Sequence, residues 1–551
     1  MSAKVPLKRL QAIVDASGVA ARVEAMLPIG VRPRQLSVRT LGLGMLTALS
    51  DGRPAHLRRV HEALIALPEQ QQWRLGVLAA WKDGPHLLSY RQVERTFSLV
   101  VRALAKEKPD GSPSEALGEI LDALLEGSVK VLGEPPSSSY AVDWTDLQTF
   151  SRPPRKRRAD PEGAEPVPRD AEHPTPDTEK DAQCAEDEDA ERLPENAEAD
   201  TQKEDGRCAD PEASWGHRRG DGPGQKDEVF FGYYLQAATI VAEENGPEIP
   251  ELVRRILLAS CRVDPPAAFT GVLERMAAAG ITLSDILADS GYAYRLPESW
   301  ALPVRRLGAR LIQDLHPNDR GLNGTHEGAI CFNGNLYCPA TPQALLELSP
   351  LPRAASTDQV EAHDKLCEEL ARYKLSPITG LDTDGYHRAC CPAVQGKLRC
   401  PLRPPSMELP HTRPQVLEAP EHPPKCCTQQ TITVPAGVNA KTAQKHDYPS
   451  KAHRRSYARR SAAERTFSTV KDPATNDISA KGWCRLTELT GPSLFMACLF
   501  IVRNIRVADA FTARKAEQAR RQACGLPPRR RRRRRRSTLH DLLAEANAPP
   551  A

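Results

Sequence analysis

The sequence predicts an α/β protein, with a mixed sheet flanked by helices, an all-helical N-terminal domain before it and a β-rich insertion within it. Three observations carry this. The first 135 residues repeat apolar positions at helical spacing, the runs 140–142 and 228–241 are strongly β-prone, and helical periodicity returns over 457–471 and 491–506. At 551 residues the chain is long enough for a large core, yet 49 prolines and only 5% aromatic residues imply proline-rich interruptions. The formal net charge is only +4, but acids and bases are segregated along the chain, which matters more for polyanion binding than their sum.

Taken in order, residues 1–135 form the helical domain, with periodic stretches at 7–26, 36–49, 57–67, 73–81, 90–104 and 113–125 separated by breaks such as Asp51-Gly52 and Asp110-Gly111. Arg32, Arg34, Arg39, Arg53, Arg58, Arg59, Arg91 and Arg95 recur near helix starts and turns, as a domain that contacts phosphates would place them. Residues 136–152 hold a short apolar strand that ends on Asp143, at a sheet rim where a metal is within reach. Residues 153–213 are an acidic insert. Between 160 and 205 it carries 18 acids against four bases and almost no large apolar residue, so it cannot bury enough surface to fold.

The strands resume over 214–298, where 228–241 is followed by a helix at 265–280 and by Asp289, with Gly291 and Tyr292 just after it. Asp285 is the rival acid, but it lacks the Gly-Tyr that follows Asp289 and sits too early in the strand. Residues 299–440 form the insertion, rich in cysteine and proline, in which Asn323-Gly324 and Asn333-Gly334 predict hairpin turns. It holds Cys331, Cys338, Cys390, Cys391, Cys400, Cys426 and Cys427, thiols of the kind that bind a structural Zn²⁺, although no CxxC pair occurs. Helices are expected again over 441–515. The tail, 516–551, contains eight consecutive arginines, among them Arg529, Arg530, Arg531 and Arg532, a run that binds nucleic acid through phosphate contacts.

The fourteen cysteines are not spaced as in a secreted disulfide framework, which points to a reducing cytoplasm. No signal peptide is expected, because residues 1–18 lack a continuous apolar stretch. The longest apolar run, 494–502, is too short to cross a bilayer, so no membrane partner is expected.

Residues 457–471 organise the rest. Tyr457, Arg460, Glu464 and Lys471, at offsets 0, 3, 7 and 14, fall within a sector of about 60° on one helix face. Ala463, Phe467 and Val470 form an apolar strip beside them. The spacing Y-(2)-R-(3)-E-(6)-K resembles the C-terminal signature of DDE transposases of the insertion-sequence-four group, and the order D-x-G-Y at Asp289 resembles the motif around that group's second aspartate. The resemblance covers about 140–300 and 440–510. It implies an RNase-H-like core with Asp143, Asp289 and Glu464 as catalytic, metal-holding acids. It further implies two Mg²⁺ ions, which Mn²⁺ can replace, and Tyr457, Arg460 and Lys471 as DNA-gripping residues. The partners it implies are terminal inverted repeats and target DNA, bound by a dimer assembled on DNA in a bacterial nucleoid. The rival expectation is a non-catalytic DNA-binding protein descended from an inactive or domesticated transposase.

Overall fold

The computed structural model describes residues 5–28, 34–81, 84–105, 111–154, 208–218, 228–352, 354–380, 382 and 385–527. The acidic stretch 160–205 and the tail residues Arg529, Arg530, Arg531 and Arg532 lie outside them.

The N-terminal region is built on α1 (Leu7–Ser17), α2 (Val19–Met26), α3 (Val38–Ser50), α4 (Leu57–Ile65), α5 (Tyr90–Leu104) and α6 (Glu115–Leu132). The single helix expected over 7–26 is broken by Gly18, whose positive φ of 65° ends α1 and starts α2. Ser89 starts α5 with a capping box, its backbone N–H bonded to the Gln92 side chain at 2.8 Å. The region is not all-helical. Where a helix was expected over 73–81, a short helix Glu69–Arg74 gives way to a hairpin of Leu78–Trp81 against Gly84–Leu87. Several arginines expected to face phosphates are instead held by neighbouring acids: Arg34 by Glu24, Arg39 by Asp15 at 2.6 Å, and Arg59 by Glu62 at 2.8 Å.

The central sheet is mixed and has six strands, β1 (Ser139–Gln148), β2 (Ser214–Arg218), β3 (Glu228–Val241), β4 (Val253–Ser260), β5 (Asp285–Ala288) and β6 (Arg310–Gln313). The long β3 runs antiparallel to β1 on one side and to β2 and β4 on the other. On the far side of β1, β5 is parallel to it and β6 is parallel to β5. The period-2 alternation of strands sorts the residues cleanly. Leu235, Ala237, Ile256 and Leu258 face one core, while Tyr140, Val142, Ala238, Ile240 and Ile286 face another. The second face is covered by α7 (Pro265–Ala278), which opens with Pro265 at its first position and Asp264 as N-cap on Ala267.

Three helices follow the insertion: α8 (Lys451–Tyr457), α9 (Ser461–Val470) and α10 (Thr490–Ala523). The first core joins α1, α3, α5, α6, the buried start of α10 and one face of the sheet in one continuous cluster. Asn504 of α10, fully buried, accepts from the Val253 N–H and donates to the Val253 carbonyl, both at 2.8 Å. That bond pair pins the helix to β4.

The insertion begins later than 299, because β6 at Arg310–Gln313 belongs to the central sheet. Beyond it lie two three-stranded sheets and the helix Thr357–Tyr373. Asn333-Gly334 makes the expected tight turn, with φ of 45° and 83°, between Ala329–Phe332 and Asn335–Tyr337. Asn323-Gly324 does not turn but lies in the strand Leu322–His326. The turn falls at Glu327-Gly328, both with positive φ, and a side chain at Gly328 would meet Pro424 Cβ at 2.1 Å. No described helix is long and apolar enough to cross a membrane.

Candidate acidic site on the central sheet

Parallel pairing aligns the acids. Tyr140 and Ala141 of β1 stand opposite Ile286 and Leu287 of β5, and continuing that register brings Asp143 level with Asp289. Ala288 stands opposite Gln313 of β6, so the next pair brings Asp289 level with Asp314. Asp289 and Asp314 stand just past the ends of β5 and β6, level with Asp143, which lies midway along β1 and not at its end as expected, because pairing with β3 carries that strand on to Gln148. Asp314 was missed in the sequence reading. Its signal was a short apolar strand, Leu311-Ile312, running into an acid two residues on, the pattern that marks Asp143. In the structure Asp314 accepts from the Tyr448 hydroxyl at 2.7 Å and pairs with Arg320 at 3.3 Å.

The D-x-G-Y order at Asp289 has a local cause. Asp289 caps the short helix Ser290–Ala293, its Oδ1 accepting from the Gly291 N–H at 3.0 Å and the Tyr292 N–H at 3.4 Å. Gly291 must lack a side chain, because a Cβ there would meet Trp144 Cη2 at 2.6 Å. Tyr292 is fully buried, its ring centroid 4.6 Å from both Trp144 and Trp300. Its hydroxyl donates to Gln236 on β3 at 3.2 Å. An aromatic ladder thus fixes the loop that carries Asp289 to the strand that carries Asp143.

Asp285, the rival acid, has a different office. It is wholly buried and receives Arg310 at 3.0 Å, Lys445 at 2.8 Å and Arg459 at 2.8 Å. Those cations outweigh the burial that would raise its pKa and hold its carboxyl below the usual range. It is a fully matched structural charge, and Asp289 keeps its place at the rim.

Glu464 and its neighbours arrive from across the groove. The stripe is not one uniform helix: α8 ends at Tyr457, a 3-10 turn covers Ala458–Arg460, and α9 carries Glu464. Buried Ala462 and Ala463 pack α9 against Ala141, Val241, Leu287 and Ile312 of the sheet. Arg460 is the hub. Its guanidinium donates to Asp143 at 3.5 Å and to Glu464, and lies 5.6 Å from the centre of the Tyr457 ring. Tyr457 in turn stacks on His453, with centroids 5.6 Å apart and planes 13° from parallel. Lys471, just past α9, pairs with Asp146 of β1 at 3.3 Å, and Arg218 of β2 joins the same carboxylate.

Burial pushes the Asp143 carboxyl up to about 7, with repulsion from Asp289 and Glu464 adding to it and Arg460 and the Trp144 N–H opposing it. Asp289 is also raised, first by burial and in part by Asp314, against the pull of Arg460 and its two backbone donors. The Arg460 guanidinium is raised despite burial, because Tyr457, Asp143, Asp289 and Glu464 all surround it. A rim with two desolvated carboxylates favours a cation, and here the cation is a side chain.

Among the described residues no group of three or more His, Cys, Asp or Glu side chains stands close enough to hold a metal ion. Asp143 and Asp289 nonetheless suit a hard divalent cation in donor type and charge, since ligation would relieve the crowding that raises both. Glu464, with 58% of its side chain exposed and its carboxylate on Arg460, would join them only by leaving the guanidinium. Set beside protein-family models, curated proteins and solved structures, the chain matches none of them.

Proposed function

We propose that the chain is a DDE-type DNA transposase with an RNase-H-like core, which cleaves the ends of its element and joins the freed 3′-hydroxyl to target DNA. One observation supports this above the others: Asp143, midway along β1, stands level with Asp289, which follows the end of the parallel β5, in a sheet whose first three long strands run antiparallel, while the Arg460 and Glu464 pair approaches from a helix across the rim. Simple DNA binding has no need of two carboxylates held in a half-buried, mutually repelling pair.

In this reading Asp143 and Asp289 are the principal ligands of the metal pair, with Glu464 joining on its release from Arg460. Two Mg²⁺ ions bound there, or Mn²⁺ in their place, would neutralise charge on the attacking and leaving oxygens of the phosphodiester. The Asp289 cap and the Trp144, Tyr292 and Trp300 ladder keep the acids from turning away from the rim. Arg460, with its planar fork, exchanges carboxylates for a phosphate of the cleaved end. Lys471 supplies a point charge beside it once Asp146 is satisfied by Arg218 alone.

The test is end cleavage in Mg²⁺ on DNA carrying the inverted repeats that flank the gene. Asp143→Ala, Asp289→Ala and Glu464→Ala each abolish nicking by the full chain while leaving DNA retention intact; nicking that survives any one of them removes that residue from the triad. The second reading, a DNA-binding protein without catalysis, is favoured by one feature, the Arg460 guanidinium standing between Asp143 and Glu464 in the place of a metal. A wild-type protein that shifts the repeats without nicking them would establish it.

A further inference from the structure

A second cleft, about 340 Å³ in volume, lies between α9, the middle of α10 and the turn that joins β3 to β4. α9 gives it Arg465 and Thr469, which stand about 100° and 140° around the helix from Glu464, so the cleft and the acidic rim share one helix but not one face. α10 gives it Arg503, Val507, Phe511 and Arg514. Arg503 and Arg514 fall within about 20° of each other on that helix, about three turns apart, and bracket an apolar wall. The turn completes the cleft with Glu248 and Glu251.

Arg503 is the under-matched charge. It is only 3% exposed. Among the described residues its guanidinium bonds only to the Glu251 carbonyl and, at 2.8 Å, to the Thr466 hydroxyl, and its Nε has no partner. The Glu251 carboxylate is turned to Arg465 instead, at 2.5 Å and 3.0 Å. Burial pushes the Arg503 guanidinium down to about 10, with Glu251 opposing the shift and repulsion from Arg465 adding to it. A buried cation without a counter-ion is destabilising, and an anion in the cleft would relieve it. The mouth is also positive. Arg465 and Arg514 are nearly half exposed, and Arg514 and Lys515 lie over the Phe511 ring and share the one carboxylate of Glu248, at 3.5 Å and 3.7 Å. The four cations Arg465, Arg503, Arg514 and Lys515 thus meet two carboxylates, and the exposed pairs on Glu248 are weak enough for an anion to displace.

We infer that this cleft is a phosphate site, which holds a backbone phosphate of the DNA strand where it leaves the acidic rim across α9. The inference rests on the proposed DNA-cleaving function for the identity of the phosphate, and on Arg503 for the need of one. Arg465 and Arg514 offer their planar forks to the phosphate oxygens from the two helices. Contacts of this kind fix where the duplex lies without choosing its sequence.

Retention of a short duplex of arbitrary sequence by the full chain in EDTA should weaken about tenfold in Arg465→Gln with Arg514→Gln, and the slope of log affinity against log salt should fall by about 1. Arg520→Gln with Arg521→Gln, which removes the same charge further along α10, should change affinity less than about threefold. Whatever the stability of the variants, phenylglyoxal labelling of the wild-type chain, read by mass spectrometry, should show Arg465 and Arg514 protected by the duplex and not by inorganic phosphate. Equal losses from the two double variants, or labelling that the duplex leaves unchanged, would overturn the site. Protection by inorganic phosphate as strong as by the duplex would make it a site for a free anion and overturn the DNA assignment. Nicking in Mg²⁺ is measured in parallel: retention through the cleft without nicking keeps the site and discards the transposase, whereas nicking with undiminished retention in the Arg465→Gln, Arg514→Gln variant discards the site.

Discussion

Replacing Asp143 by Asn tests whether the rim is strained by its own charge. The carboxyl rises from the ordinary 3.8 to about 7 in the folded chain, so the folded state holds a proton that the unfolded state has already released. Stability therefore falls as pH climbs from about 3.8 to about 7, and the loss is complete above that window. The difference is equivalent to a ceiling of about 4 kcal/mol. Asn keeps the size of the side chain and the oxygen that accepts from the Trp144 N–H at 2.9 Å, but carries no charge. In urea unfolding of the full chain with EDTA, wild type and Asp143→Asn should have the same midpoint near pH 4 and diverge between pH 5 and 7. At pH 8 the variant should be the more stable, by up to about 4 kcal/mol. Equal midpoints at pH 8, or a gap that does not change with pH, would mean that burial and the neighbouring acids do not strain this carboxyl.

Two further outcomes follow from the same neighbourhood. Asp285→Asn should cost about 3–5 kcal/mol in the same titration, because it leaves Arg310, Lys445 and Arg459 around a buried neutral amide; a cost below 1 kcal/mol would deny it a structural role. Gly291→Ala should cost about 1–3 kcal/mol and change the near-ultraviolet circular dichroism of the aromatic ladder, since the new methyl meets Trp144 at 2.6 Å and 3.1 Å; an unchanged spectrum at wild-type stability would show that the loop has room to give.

Part of this site was legible from residue order because Asp289 follows a short strand, whereas Asp143 stands midway along a strand that runs on to Gln148. Asp289 before Gly-Tyr announces a chain leaving a sheet, and the structure adds why Gly and Tyr are there; the apolar triplet before Asp143 marks a strand but not its end. Asp314 escaped notice because β6 is only four residues long and lies where the composition already reads as insertion. The hairpin at Leu78–Trp81 was hidden by apolar spacing that fits either period over so short a stretch. Asn323-Gly324 misled because its turn propensity yields to the packing of Gly328 against Pro424 three residues on. Arg460 was recognisable as a basic neighbour of Glu464, but its reach to Asp143, 317 residues away in sequence, depends on how α9 lies across the sheet. That is a tertiary fact with no local trace.

The continuous core that joins α1 through α6 to α10 also sets an order of assembly. Leu10, Leu46 and Phe97 share one core with Phe495, Leu499 and Ile505, which are synthesised only after the sheet and the insertion. The first 130 residues must wait, with apolar faces uncovered, through synthesis of the sheet and the whole insertion, and nascent chains in that condition are prone to aggregate. Any product stopped before residue 490 lacks the rod that closes the core. Its amount in the cell is then governed by chaperones and proteases, so truncation would remove the protein itself before it could remove any one activity.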